Sequence, residues 1–585
     1  MFDAVSAEGL DTVQNFGASV AKLLDEFEAA DFRSAERILA LLSRQGRTGP
    51  GFPRARPSDC ERVTISLKRV FKANLPAFRT GDRDIVQRFE AIVEAVAETD
   101  IRFYPRELLR VRMLQAEARM LLGDPAGARA LIGDYADRPY KVEGGYDDLL
   151  SLMAFDCRAR AAMGEVVEDL ERVALARARL LCRVWPLRAF DVARKFVPFL
   201  SLGRPSIDAG WLGHATHWAS GMTARARVRP GTITAAIARL PAVWFGHGIV
   251  GLLLLLTRTS KIVRRRSGDV LVTRAMGGIG DLFMMTAGLR ALSRRIGKPV
   301  KLVIDRKFFD IFRNNPHVDL VDIDSAPIAI EAHDKWFNLT RCPAAFYESR
   351  RVPAVRKGRT ELFARAMGIG RLALLRGGFN LDYKRDQGQI DFANAFIAKA
   401  GYGARPIVGI QPYSRDSYKD HSGILTVIER LRVHNDIILL HHIEAGLPAG
   451  PGLVSTAGLS LAQSISLVAV MDAMISVDSG FLHAAAAFDI PVVALFGPTD
   501  GRLFTRHHRH VVLLQPRERF PCSPCWRNED TPCQLTGQFG PSPCVGALAP
   551  DIIEAALSRA LKMGRGAPPT SELMQRSTAP AVDHA

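Results

Sequence analysis

Cysteine is scarce in this chain: eight among 585 residues, too few for a disulfide-stapled secreted scaffold. The opening MFDAVSAEGLDT has acids, no base and no apolar run, so it lacks a secretory-signal pattern and the cytosol is the expected compartment. Disorder of the whole chain is excluded by 48% hydrophobic and 24% charged residues. Acid is missing from one long window: between Ala209 and Gly268 there is neither Asp nor Glu. The same window holds nine bases, Arg225, Arg227, Arg229, Arg239, Arg258, Lys261, Arg264, Arg265 and Arg266, more than half of the net +17. Such a balance suits nucleic acid, anionic membrane or phosphorylated small molecules.

The placement of the bases narrows that choice. Leu240 to Thr257 has no formal charge and ends in a run of five leucines. As a helix it would be about 27 Å long against roughly 30 Å of bilayer hydrocarbon, so spanning is marginal. Basic flanks and Trp211, Trp218 and Trp244 favour a helix lying on an anionic membrane face. A buried connecting helix and a true span stand as alternatives. Bases that flank an apolar run do not line a nucleic-acid groove, so no nucleic acid is expected.

The organisation follows from periodicity. Residues 1–222 read as helical, and AADFRSAERILALL (29–42), LGDPAGARALI (122–132) and, more weakly, MGEVVEDLERVALA (163–176) look alike. They suggest tetratricopeptide-type repeats, with an irregular helical bundle as the equal alternative. Residues 223–267 form the basic, apolar linker. From Asp269 short apolar, β-branched runs alternate with amphipathic helices: DVLVT (269–273), VKLVI (300–304), IVGI (407–410), DIILL (436–440), AMISV (473–477) and VVALF (492–496). Buried parallel strands with crossover helices read this way, predicting two Rossmann-like α/β domains, 268–400 and 401–562, facing a cleft. Residues 563–585 are expected to be a disordered tail.

Two motifs carry chemistry. In RAMGGIGDLFMMTAGLRAL (274–292), Gly277, Gly278 and Gly280 allow a tight turn and Asp281 opens a helix. Phe283 occupies the third glycine position of a dinucleotide fingerprint, so a plain turn with a helix-capping aspartate competes with a binding role. In DAMISVDSGFLHAAAAFDIPVVALFGPTD (472–500), a strand ends at Val477, Asp478-Ser479-Gly480 makes a turn, and His483 lies on the helix that follows. Backbone N–H groups at such a helix start suit an anion like diphosphate. A second strand leads to the loop at Thr499.

Together these motifs resemble glycosyltransferase family 9, the ADP-heptose:lipopolysaccharide heptosyltransferases and relatives, over about residues 268–562. The resemblance implies a GT-B arrangement, with 268–400 on the acceptor side and 401–562 on the donor side, and an inverting sugar transfer without a catalytic metal. Asp281 matches the family's catalytic base. Gly278, Gly280, Asp478, Ser479, Gly480, His483 and Thr499 match its donor-binding turns, and Lys419, in QPYSRDSYKDHS (411–422), a lysine near the phosphates. A solvated loop lysine is the competing reading of Lys419. Two departures stand out: His421 replaces an aromatic residue, and His441-His442-Ile443-Glu444 replaces glycines and an acid near the base.

Cys522, Cys525, Cys533 and Cys544 suit a structural zinc or iron site of four thiolates, with unligated thiols or redox disulfides as alternatives. Some relatives carry a comparable cluster, and iron occurs in the protein-heptosylating branch. Cys60, Cys157, Cys182 and Cys342 are isolated and read as core residues. The expected function is transfer of a heptose-like sugar from a nucleoside-diphosphate donor to a lipopolysaccharide-core or other envelope glycan. The enzyme is expected to sit peripherally at the inner face of the cytoplasmic membrane. Alternatives are a protein O-glycosyltransferase that docks a polypeptide on the helices, and a non-catalytic scaffold with a degenerate transferase.

Overall fold

The computed structural model describes residues 82–98, 105–142, 146–166, 269–440, 450–529 and 531–564, with Thr64, Leu67 and Phe71. The apolar window 240–257, Cys60, Cys182, the segment 441–444 and the look-alike segment 29–42 lie outside them, as does all of 163–176 beyond Val166. The tail beyond Gly564 also lies outside. Among the described residues no helix is long and apolar enough to cross a membrane.

The chain divides into two compact units: residues 1–275 with 324–341, and residues 276–323 with 342–585. The first contains helices α1 (Arg83–Glu98), α2 (Pro105–Leu121), α3 (Pro125–Asp137) and α4 (Tyr146–Ala162), each packed on the next. The expected helical segment 122–132 forms a turn and the start of α3. Asp124 caps that helix by accepting from the Gly127 N–H at 2.8 Å, and Pro125 supplies its first residue. Ala128, Ile132 and Ala136, spaced by four, are its buried stripe. A repeat is not established, since only one of the three look-alike segments is fully described.

The same unit contains strand β1 (Val270–Arg274) of the expected run 269–273. In the second unit come helix α5 (Ile279–Ile296) and strands β2 (Val300–Ile304) and β3 (Val318–Asp322), which pair in parallel. Strand β4 (Lys335–Asn338) returns to the first unit and pairs in parallel with β1, Val270 opposite Lys335. The turn after α3 binds the segment before β4. Arg138 donates to the Ser325 carbonyl at 2.8 Å and Lys141 pairs with Asp324 at 2.5 Å. The buried Thr340 hydroxyl donates to the Tyr140 carbonyl at 2.6 Å and accepts from the Ala275 N–H at 3.0 Å.

The rest of the second unit runs through α6 (Pro343–Ser349), α7 (Arg359–Ala366), α8 (Arg371–Gly377) and α9 (Gln387–Lys399). There follow β5 (Ile407–Gln411), α10 (Ile424–Leu431), β6 (Asp436–Leu439), β7 (Leu453–Ser455), α11 (Leu461–Val468) and β8 (Ala473–Val477). The unit ends with α12 (Gly480–Ala487), β9 (Val492–Leu495), β10 (Val511–Leu514) and α13 (Pro550–Met563), which carries the helix one residue into the expected tail. Strands β5 to β10 make one six-stranded parallel sheet in the order β10-β9-β8-β5-β6-β7. Ile424, Val427, Ile428 and Leu431 of α10 share a core with Ile553, Ala556, Leu557 and Ala560 of α13 and the sheet. The strand order reverses between β5 and β8, so their carboxyl ends open the crevice where such sheets hold ligands.

Candidate active site

The loop after β5 and the turn after β8 both reach this crevice, and α5 meets α12 beside it. Two glycines allow that meeting. A Cβ added at Gly480 would lie 2.7 Å from Ile279 Cβ, and one at Gly280 would lie 2.8 Å from His483 Cδ2. Gly277 has φ of 140°, a conformation side chains rarely adopt, and turns the chain into α5. Neither helix start is capped by a side chain: Gly278 has none, and the Ser479 hydroxyl bonds Ser476 at 2.9 Å and Gln411 instead. Their first-turn N–H groups and positive dipole ends border a cleft of about 510 Å³. Gly278, Gly280, Asp281, Lys419, Asp478, Ser479, Gly480 and His483 all line it.

Asp281 stands in the first turn of α5. Its Oδ1 accepts from Arg359 Nη1 at 2.9 Å, and its Oδ2 faces the Cys342 thiol at 3.7 Å. Arg359 grips Glu348 with its other two donors, Nε to Oε1 at 2.8 Å and Nη2 to Oε2 at 2.7 Å. Burial weighs against the Arg359 cation, but Asp281 and Glu348 hold its pKa well above the ordinary value. The expectation of a core role for Cys342 is corrected: it is only half-buried, and its sulfur accepts from the Ala345 N–H at 3.5 Å to cap α6. Cys157 is buried.

Across the cleft, Lys419 Nζ lies 3.3 Å from Asp478 Oδ2 and 3.1 Å from Asp416. The solvated-loop reading of Lys419 does not hold, since its side chain is only 16% exposed. Burial opposes its charge, yet Asp478, Tyr418 and Asp416 raise its pKa above the usual range. Burial likewise opposes the Asp478 carboxylate, but Lys419 and Arg359, with the Thr499 hydroxyl, hold its pKa down. Thr499 itself is buried and donates to Asp478 Oδ2 at 2.9 Å. It is thus placed to orient Asp478. Burial pushes the His483 pKa down to about 4, so its imidazole is neutral near pH 7.

His421 faces the core. Its Nδ1 accepts from the Gly423 N–H at 3.1 Å and its Nε2 donates to the Leu548 carbonyl at 2.8 Å, tying two loops together. A metal site at Cys522, Cys525, Cys533 and Cys544 is not shown. Among the described residues no three or more His, Cys, Asp or Glu side chains gather as a ligand set. Cys544 is buried, its sulfur packed on Gly497. Cys533 accepts backbone N–H bonds from Leu535 and Thr536.

Part of the chain, including the motif 472–500, matches known proteins. Residues 353–532 match the family model of glycosyltransferase family 9 (heptosyltransferase). Lipopolysaccharide heptosyltransferase 1 of Pseudomonas aeruginosa is 40% identical over 73 residues, 12% of this chain and 20% of that protein. The chain thus spans about a fifth of the length of this curated relative. Among solved structures, the glycosyl transferase family 9 protein of Veillonella parvula DSM 2008 is 13% identical, with a TM-score of 0.38, covering 52% of this chain and 99% of its own. ADP-heptose lps heptosyltransferase II of E. coli is 16% identical, with a TM-score of 0.37, covering 50% and 99%. By the family match, with the identity to the Pseudomonas enzyme beside it, residues 353–532 are those that match glycosyltransferase family 9.

Proposed function

We propose that the chain transfers a heptose-like sugar, with inversion, from an ADP-heptose-like donor to a lipopolysaccharide-core or related envelope glycan. The observation that carries this reading is the convergence of Asp281 with Lys419, Asp478 and two uncapped helix starts on one cleft. In this reading the Asp281 carboxylate takes the proton of an acceptor hydroxyl as that oxygen bonds the anomeric carbon. The bond from that carbon to the diphosphate breaks, its electron pair leaving with the diphosphate. Lys419 and the N–H groups at the start of α12 stabilise the departing charge. The domains 268–400 and 401–562 then serve as acceptor and donor sides of a GT-B enzyme. Segment 240–257, with its basic flanks, would hold the enzyme at the inner membrane face.

A polypeptide acceptor docked on α1 to α4 is the second reading. It is suggested by the Tyr140–Thr340–Ala275 hydrogen-bond chain, which ties that helical region to the end of β1. A thermal-shift panel of ADP, UDP, GDP, CDP and their sugar conjugates tests the donor side. Selective stabilisation by ADP compounds is expected. No shift at millimolar ligand would favour the non-catalytic scaffold. Asp281→Asn should abolish transfer and spare nucleotide binding, and an active variant would remove the base assignment.

A further inference from the structure

His483 and His508 form a pair. His483 Nδ1 lies 3.3 Å from His508 Nε2, with the rings at 88° and their centroids 5.3 Å apart. Burial holds both imidazoles below their ordinary pKa, with Asp478 and Asp281 acting against the His483 shift and Arg359 and Lys419 with it. Two neutral rings share one proton in such a bond, so one nitrogen donates and the other accepts.

The far side of His508 decides which. Its Nδ1 is buried and has no hydrogen-bond partner among the described residues. If Nδ1 carried the proton, a buried N–H would be orphaned. If Nε2 carries it, only an acceptor lone pair goes unmet, and orphaned donors are the rarer case in folded proteins. The proton therefore belongs on His508 Nε2. His483 Nδ1 must then accept, which leaves the His483 proton on Nε2. That edge of the His483 ring faces the start of α5: a Cβ added at Gly280 would lie 3.4 Å from Nε2.

We propose that His508 is a positioning residue that donates Nε2–H to His483 Nδ1, fixing His483 in the tautomer whose Nε2–H donates into the anion cleft. That the anion is a diphosphate rests on the function proposed above. His508 touches no substrate and acts only through His483. Without it, His483 can exchange protons with water, losing the one on Nε2 and gaining one on Nδ1, and so present a lone pair to the anion, which repels it.

The test uses full-length protein with 15N-labelled histidine. Ligand-free long-range spectra should show His483 as the Nε2–H tautomer, and His508→Phe should give a mixture or the Nδ1–H form. His508→Gln, whose side-chain amide can donate from a similar position, should restore it. Affinity for ADP should fall about tenfold in His508→Phe, recover in His508→Gln, and fall no further when His508→Phe is added to His483→Phe. An unchanged His483 tautomer in a folded His508→Phe protein would overturn the proposal. So would equal loss of ADP affinity in the Phe and Gln variants. The spectra need no ligand. Wild type that shows the Nε2–H tautomer but binds no ADP would count against the sugar-nucleotide reading alone.

Discussion

Arg359 binds Asp281 and Glu348 at once, one guanidinium nitrogen to the first and two to the second. The Glu348 side chain is 9% exposed and that of Arg359 23%, so the pairs are largely out of water. Removing one partner of such a pair strands a charge, at a cost of about 3–5 kcal/mol. Arg359→Ala should therefore lower stability by about that amount, whereas Arg359→Ala with Glu348→Gln should recover much of it. Urea unfolding of the three proteins checks this. Arg359→Lys retains the charge but cannot fork onto two carboxylates. It should keep the fold and lose about 10- to 100-fold in transfer rate with ADP affinity nearly unchanged. A fully active Lys variant would show that Asp281 needs no such clamp.

Gly480 and Gly278 should respond differently to the same added methyl. At Gly480 the methyl meets the branched Cβ of Ile279, which has no flexible end to move aside. Overpacking of this kind costs about 1–3 kcal/mol. At Gly278 a Cβ meets nothing within 4 Å. Gly480→Ala should thus melt several degrees lower and bind ADP more weakly, while Gly278→Ala keeps the wild-type melting temperature. Equal melting of the two variants would show that α5 and α12 do not approach as closely as described.

These contrasts show which parts of the chain could be read from its residues. Six strands were legible because their runs are mostly apolar and mostly buried: β5, β8 and β9 are nearly or wholly buried. β3, β7 and β10 escaped notice because they are only partly buried, and β4 because it begins with exposed Lys335. At the site, the strand-turn-helix pattern marked Asp281 and Asp478 through His483. Arg359, Glu348, Gln411 and His508 went unmarked, since their partners lie 11 to 78 positions away. One local signal was available for Arg359. It is the first residue of α7, where a cation opposes the helix dipole, and such placement asks for an acidic partner. The bond from Thr499 to Asp478 could not be read from the loop, because a loop sequence does not say which way a hydroxyl turns.

Thr499 offers a clean perturbation of Asp478. Thr499→Val keeps the shape and removes the donor to Oδ2, a bond to a charged group worth about 1.5–3 kcal/mol. Lys419 remains to balance the carboxylate. The variant should fold with reduced stability and bind ADP within a few-fold of wild type. Lys419→Ala should instead weaken ADP binding strongly, by about 100-fold, because it removes a buried cation from the cleft. Calorimetric titration of both variants distinguishes them. Equal affinities would remove Lys419 from the phosphate site.

His483 and Asp420 should oppose each other in acid. The folded-state pKa of His483 is pushed down to about 4 by burial, against an ordinary value of 6.5. Between these values the unfolded chain holds the extra proton, so this group destabilises the fold as pH falls from 6.5 to 4. Burial, against the Ser414 N–H bond, raises the Asp420 pKa from 3.8 to about 6. There the folded chain holds the extra proton, so Asp420 destabilises the fold as pH rises from 3.8 to 6. Each slope is about 1.4 kcal/mol per pH unit, and the two nearly cancel over the shared window. Asp420→Asn, which still accepts from Ser414, should unmask the His483 slope, with stability that climbs from pH 4 to 6.5. His483→Gln should unmask the other, with stability that declines from pH 4 to 6. Urea midpoints measured every half pH unit decide the matter. Parallel curves for wild type and both variants would mean that neither group carries the shift assigned to it.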